Sequence, residues 1–178
     1  SDSEKADADA LRISETYQTF AVFFLDLDRF KVINDTLGHA AGDIVLQTTG
    51  ERLSHIVGTR GEVARLGGDE FVILFYPPTT QAIIEIVAEE IKVSVSQPIL
   101  LSQGETIVTC SVGALMCFGR DLNPGDIMRE ADAAMYRAKG HGKNFVEIAT
   151  TKDKNRNYSE LKFTNDLRRA LTTDQIKV

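Results

Sequence analysis

The chain's first long apolar run is "TFAVFFL", Thr19 to Leu25, and polar residues take over from Asp26. A segment apolar on both alternating faces predicts a strand in mid-sheet, covered on both sides, over "TFAVFFLDLDRF". Helical spacing follows, with Ala41, Val45, Thr49, Leu53 and Val57 recurring every four residues; this predicts a helix of about four turns with Asp43 in its first turn, where it suits the helix dipole. "EVARL" and "FVILFY", joined through Gly67 and Gly68, have the form of a β-hairpin over Glu62–Tyr76 that Pro77 and Pro78 end. Ile84, Val87, Ile91 and Val95 mark a second helix between Thr80 and Ser96. A second hairpin turns at Gln103 and Gly104, a last helix runs from Pro124 to Lys139, and "NFVEI" closes as a short strand. The order β-α-β-β-α-β-β-α-β predicts an α+β fold: a mixed, largely antiparallel sheet flanked by helices around a split β-α-β core of ferredoxin type.

Composition narrows the classes. With 178 residues, one core of ordinary size suffices, and a 43% hydrophobic, 26% charged chain is that of a globular protein. No apolar run approaches the ~20 residues of a membrane span, and the acidic start "SDSEKADADA" lacks the features of a secretory signal, so a cytoplasmic location is expected, whether or not the full-length protein is membrane-attached. A net charge of -6 argues against a nucleic-acid partner. Cys110 and Cys117, seven apart on one extended segment, should point to opposite faces and stay unpaired.

Asp26 and Asp28, two apart at the end of the first strand, are expected to project to one side. If the Glu62–Tyr76 hairpin pairs beside that strand, Asp69 or Glu70 comes within about 5 Å of Asp26. Like charges that close are tolerable around a divalent cation, and hard oxygen ligands favour Mg²⁺ or Mn²⁺ over zinc. His39, His55 and His141 are scattered and read as surface residues. Carboxylates holding a metal beside a mixed sheet suit nucleotidyl transfer, which needs cations for phosphate; Lys31, Lys139 and Lys143 are candidates, although each alone reads as a solvated charge.

The motifs "FFLDLDRFKVINDTLGHAAGD", "ARLGGDEF", "SVGA" and "ADAAMYRAKGHGKN", in this order over Phe20 to Ile148, resemble the GGDEF domain of bacterial diguanylate cyclases. The resemblance implies a fold like the nucleotidyl cyclase and polymerase palm core. It implies that Asp26 and the Leu27 carbonyl bind metal, that Asp69 is metal ligand and base for the 3′-hydroxyl, and that Glu70 is its metal-binding neighbour. Gly67 and Gly68 would let the backbone approach the nucleotide, Asn34 and Asp43 would read guanine, and the Phe30 amide with Lys31, Lys139 and Lys143 would hold the triphosphate. Lys143 stands where the family often has Arg, keeping charge but losing the bidentate fork. The implied reaction condenses two GTP into cyclic di-GMP with release of two pyrophosphates, across a C2 dimer of domains.

Two departures stand out. The family's Arg-x-x-Asp product-inhibition site is expected to be absent, since Arg60 is followed three residues later by Val63. The family's opening "D-x-L-T-x-L-x-N-R" motif is missing from Ser1 to Thr19, so residues 1–19 are read as a truncated start. The catalytic domain is then 20–149, followed by a linker at 150–158. The stretch "LKFTNDLRRALTTDQIKV" is similar to the start of an EAL phosphodiesterase domain, so 159–178 is read as the beginning of a GGDEF-EAL fusion's next domain. An active cyclase is the first reading of function; the alternatives are a noncatalytic GTP-binding regulator of an attached EAL domain and a docking module with solvated acids.

Overall fold

The structure, a computed structural model, describes residues 19–76, 79–118 and 123–151. The missing opening motif, the linker and the EAL-like segment expected from the sequence fall, but for Thr19, Thr150 and Thr151, outside those residues. The elements are β1 (Thr19–Leu27), α1 (Phe30–Leu37), α2 (His39–Val57), a 3-10 turn at Gly58–Arg60, β2 (Gly61–Gly67), β3 (Glu70–Phe75), α3 (Gln81–Val95), β4 (Ile99–Leu101), β5 (Gly104–Thr106), β6 (Cys110–Phe118), α4 (Pro124–Gly140) and β7 (Val146–Thr150). Five strands form one mixed sheet in the order β2-β3-β1-β6-β7, antiparallel except for the β6–β7 pair. This is the α+β architecture that the strand and helix order predicts.

β1 is the middle strand, and its alternation feeds two cores. Ala21, Phe23, Leu25 and Leu27 pack on one face with Phe30, Val45, Leu53, Ile84 and Ile91 from α1, α2 and α3. Val22 and Phe24 pack on the other with Ile127, Ala131 and Met135 of α4. Each large side chain so buried contributes roughly 1.5–3 kcal/mol, and a one-residue slip of β1 would exchange the two sets. The register of β1 is therefore fixed, and with it the height of Asp26 above the sheet end. Cys110 and Cys117 follow the same alternation, one in each core; both are free and buried, and burial pushes the Cys110 thiol up to about 12.

α4 is set in place at both ends of its packing. Asn123 caps it, its Oδ1 accepting from the amides of Gly125 (2.8 Å) and Asp126 (3.3 Å), with Pro124 in the first turn as expected. Its middle lies on Gly113 of β6, where a Cβ would collide with the Ala131 carbonyl and the Met135 amide. On the opposite face, Arg52 of α2 donates to the carbonyl of Val95, which the end of α3 leaves unpaired, and to those of Gln97 and Pro98 in the turn that follows.

Three details differ from the sequence expectations. The segment after β1 does not stay extended to Phe30; it turns at Asp28–Arg29, with Arg29 left-handed (φ 59°), and enters the eight-residue α1, whose helical spacing of Phe30, Ile33 and Leu37 the reading of one longer strand passed over. α2 begins at His39 and runs 19 residues, so it is about a turn longer than expected and Asp43 lies just past its first turn, where the dipole contribution is smaller. The hairpin at Gln103–Gly104 exists, but its second arm stops at Thr106: β4 and β5 make their own two-stranded sheet, and β6 starts afresh at Cys110 because β1 captures it, Leu27 facing Cys110. Among the described residues, no helix is long and apolar enough to cross a membrane.

Candidate active site

The antiparallel register of β1 and β3 makes Asp26 and Glu70 direct cross-strand partners. One step further, the Leu27 amide donates to the Asp69 carbonyl at 3.2 Å, so the tip of the hairpin is tied to the end of β1. The hairpin reaches that position through a bulge between Arg65 and Gly67, followed by Gly67 (φ 152°) and Gly68 (φ 54°). Arg65 braces the turn, donating to the Gly68 carbonyl from Nε (3.0 Å) and Nη2 (2.8 Å). A Cβ on either glycine would meet no atom within 4 Å, so backbone conformation, not crowding, calls for glycine, and the space beside the turn is open.

Lys139, at the end of α4, brings its Nζ to 2.6 Å from Asp26 Oδ2. Asp26 is only 8% exposed. Burial holds its carboxyl above the usual range; the negative charge of Asp69 adds to the rise, and the Lys139 hydrogen bond opposes it. Glu70 is also raised, first by burial and then by the charges of Asp26, Asp132 and Asp69, again opposed by Lys139. Asp26, Asp69 and Glu70, from two chain segments, thus repel one another at one sheet end, with Asp28 and Asp132 adding to the repulsion and the Lys139 ammonium opposing it.

Asp28 stands on the same side as Asp26, as expected: Ser111, the cross-strand partner of Asp26, donates to it, and its charge adds to the rise at Asp26. It lies beyond the end of β1, 7% exposed, and its carboxylate accepts from Thr109 Oγ1 (2.7 Å), Ser111 Oγ (2.8 Å) and the Asn144 amide (2.9 Å). Phe30, buried, opens α1, and the exposed Lys31 follows it. Asn34 packs across the α1–α2 seam with its Oδ1 against Gly42, next to the exposed Asp43. Lys143, left-handed (φ 69°), lines a cavity of about 400 Å³ with Asp28, Arg29, Val32 and Thr109, and Asp26, Asp69 and Glu70 are not among its lining residues. The structure therefore gathers Asp26, Leu27, Asp69, Glu70 and Lys139 into one site, sets Asn34 against Gly42, the residue before Asp43, and leaves Lys143 on an adjoining cavity. Arg60 is engaged within the chain, donating to the Ile56 carbonyl at 2.6 Å with its guanidinium 5.2 Å from the Phe75 ring centre.

Among the described residues, no three His, Cys, Asp or Glu side chains form a ready-made metal cluster. Mg²⁺ asks for less: it is usually held by one or two carboxylates, with water and substrate phosphate completing its octahedron. The all-oxygen donors and the mutual repulsion of Asp26, Asp69 and Glu70 fit such an ion and do not fit zinc; His39, His55 and His141 are exposed, as expected. Sequence reasoning missed Arg65, Thr109, Ser111, Asn144 and Asp132. Of these, all but Thr109 lie inside quoted motifs, yet nothing in a pattern says that Ser111 and Asn144 hydrogen-bond the same carboxylate.

Residues 4–145 match the family model described as the GGDEF domain of diguanylate cyclases. The chain is 37% identical over 157 residues to the bifunctional diguanylate cyclase/cyclic di-GMP phosphodiesterase MucR of Pseudomonas aeruginosa, covering 88% of this chain and 23% of MucR. It is 40% identical over 141 residues to the diguanylate cyclase TpbB of the same species, covering 79% of this chain and 32% of TpbB. The crystal structure of the TpbB GGDEF domain superposes with a TM-score of 0.72 at 37% identity, covering 81% of this chain and 91% of that domain. The chain thus spans no more than about a third of those two full-length relatives.

Proposed function

The chain belongs to the GGDEF-domain family of diguanylate cyclases, and from that premise we propose that it condenses two GTP into cyclic di-GMP and two pyrophosphates. The observation that carries this reading is the cross-strand pairing of Asp26 with Glu70, with Asp69 at the adjoining turn and Lys139 on Asp26. Mg²⁺ or Mn²⁺, held by Asp26, the Leu27 carbonyl, Asp69 and Glu70, would supply charge neutralisation at the α-phosphate and make the 3′-hydroxyl easier to ionise.

The chain's residues divide the remaining work. Asp69, on the tied hairpin tip, takes the proton from the attacking 3′-hydroxyl in this reading. That oxygen forms a bond to the α-phosphorus of the second GTP as the bond to pyrophosphate breaks, and two such steps close the ring. The Phe30 amide, Lys31, Lys139 and Lys143 hold the triphosphate, for which Lys139 would give up its bond to Asp26. Asn34 and Asp43 accept from the N–H edge of guanine; adenine presents a lone pair there, which a carboxylate cannot satisfy. Gly67 and Gly68 leave the turn's backbone open to the nucleotide.

Because one domain holds one GTP, each 3′-hydroxyl must reach the other domain's α-phosphate, so the active form is a C2 homodimer. GTP and Mg²⁺ place it in the cytoplasm. The catalytic domain is 20–149, with an EAL-like domain beginning at 159–178 beyond a linker at 150–158. Product inhibition through an Arg-x-x-Asp site is not part of this reading; tight cyclic di-GMP binding that Arg60→Ala abolishes would contradict that. Incubation with GTP and Mg²⁺, followed by mass spectrometry, should reveal cyclic di-GMP in the wild type and none in Asp69→Asn or Glu70→Gln. GTP binding without product would instead select a regulatory module.

A further inference from the structure

Resting on that reading of the site, we infer that Asp28 is a positioning residue: it latches the loop that carries Lys143, and so sets the grip on the triphosphate without touching metal or substrate.

Asp28 stands where three chain segments meet. Its amide donates to the Thr109 carbonyl (2.8 Å), fastening the β1–α1 turn to the residue before β6. Its Oδ1 accepts from Ser111 of β6, and its Oδ2 accepts from both Thr109 Oγ1 and the amide of Asn144, in the loop between α4 and β7. A carboxylate offers about four lone-pair positions. Three are taken by donors of this chain, which leaves little for a cation.

The loop end of the latch is the informative one. Lys143 (φ 69°) and Asn144 (φ 50°) are consecutive residues in the left-handed region, a costly state for side chains that carry a Cβ and one that persists where the surroundings impose it. The bond from the Asn144 amide to Asp28 is such a constraint, and it is charge-assisted. Arg29, the other residue with a Cβ in this region beside Asp28, lines the same cavity as Lys143. The backbone from which Lys143 extends is thus fixed by a carboxylate two residues from Asp26, which couples the phosphate loop to the end of the metal-bearing strand.

The test uses 3′-deoxy-GTP, which lacks the attacking hydroxyl and cannot react, and the corresponding 5′-monophosphate, each titrated calorimetrically into the full chain with Mg²⁺. Asp28→Ala and Lys143→Ala should each weaken the triphosphate about tenfold and leave the monophosphate unchanged. The double variant should be no weaker than Lys143→Ala alone. Asp28→Asn keeps an oxygen for the Asn144 amide while Ser111 can turn to accept, so it should bind within about threefold of wild type. Exchange of the Asn144 amide should accelerate in Asp28→Ala and stay slow in Asp28→Asn. Additive losses, equal losses for both ligands, or a changed Mg²⁺ requirement in Asp28→Asn would overturn the inference. A wild type that binds no 3′-deoxy-GTP would bring down the substrate reading itself; wild-type binding with an unaffected Asp28→Ala would remove the latch alone.

Discussion

Lys139 Nζ lies 2.6 Å from Asp26 Oδ2, so the C-terminal turn of α4 delivers an ammonium to the acid that β1 presents at the sheet end. The pair is partly screened, with the lysine side chain a third exposed, and its importance lies in what it opposes: Lys139 lowers the proton affinity of both Asp26 and Glu70 against burial and mutual repulsion. Lys139→Met should therefore let both acids hold protons to higher pH. Mg²⁺ competes with those protons, so the pH at which Mg²⁺-dependent GTP binding reaches half its plateau should move upward. With the phosphate contact also lost, kcat/KM should fall by about 10–150-fold. A pH series of nucleotide titrations on wild type, Lys139→Met and Lys139→Arg checks both; an unmoved acid limb in Lys139→Met would refute the electrostatic part.

Without metal, the acids weaken the fold. Glu70 binds its proton more tightly in the folded chain than at its ordinary value of 4.5, because of burial and the charges of Asp26, Asp132 and Asp69. A raised carboxyl means that the folded state holds the proton longer than the unfolded state does. Its contribution is therefore most favourable below pH 4.5 and is lost as pH rises from there through the raised value. Glu70→Gln removes this loss, so in EDTA at neutral pH it should be more stable than wild type by about 0.2–1 kcal/mol, the scale of a cross-strand like-charge contact. Added Mg²⁺ should raise the melting temperature of wild type more than that of Glu70→Gln. Urea melts at two pH values, with and without Mg²⁺, measure all of this.

Much of this geometry was legible in the residues before any coordinates. The apolar stretch Phe20–Leu25 implied a central strand, and the two glycines between apolar runs implied a hairpin; pairing them led directly to Asp26 beside Glu70. Period-two reasoning also separated Cys110 from Cys117. The same reasoning brought Asp28 to the side of Asp26, but it assumed that the strand continued, whereas the chain turns at Arg29 in a left-handed conformation that no pattern of polarity announces. The partners of Asp28 were equally hidden: Thr109, Ser111 and Asn144 are 81, 83 and 116 residues away along the chain, and only the closed sheet brings them to one carboxylate. Lys139 was expected as a phosphate ligand; that it first meets Asp26 depends on how α4 lies across Gly113, a matter of packing rather than sequence period.

Gly42 tests the base-reading seam. A Cβ there would collide with Asn34 Oδ1 and crowd the Phe30 ring, which would stand 3.2 Å away. The Asn34 amide is the free end of a short side chain and can rotate aside, so Gly42→Ala should leave the fold within about 1 kcal/mol of wild type, helped by alanine's better helix propensity. What it should lose is the position of Asn34. We expect weaker GTP binding and a reduced preference for GTP over ATP, while the Mg²⁺ requirement stays the same. Competition titrations with the two triphosphates read this; unchanged preference would remove Asn34 from base recognition.

Gly113 presents the opposite case. A Cβ on it would run into the Met135 amide, the Ala131 carbonyl and the Ala134 carbonyl carbon, all backbone of α4, with no flexible side chain to give way. Relief requires α4 to lift from the sheet, opening the core in which Ala131 and Met135 pack with Val22, Phe24 and Leu115. Overpacking of this kind typically costs about 1–3 kcal/mol, and backbone contact puts Gly113→Ala at the upper end. Because Lys139 ends the same helix, a displaced α4 also draws the ammonium away from Asp26. In a variant that still folds, GTP affinity should therefore drop together with stability, and the acid limb of Mg²⁺-dependent binding should shift upward as in Lys139→Met. Denaturant unfolding gives the first quantity and the pH series the second; a destabilised Gly113→Ala with wild-type pH dependence would show that α4 packing and the Lys139 contact are independent.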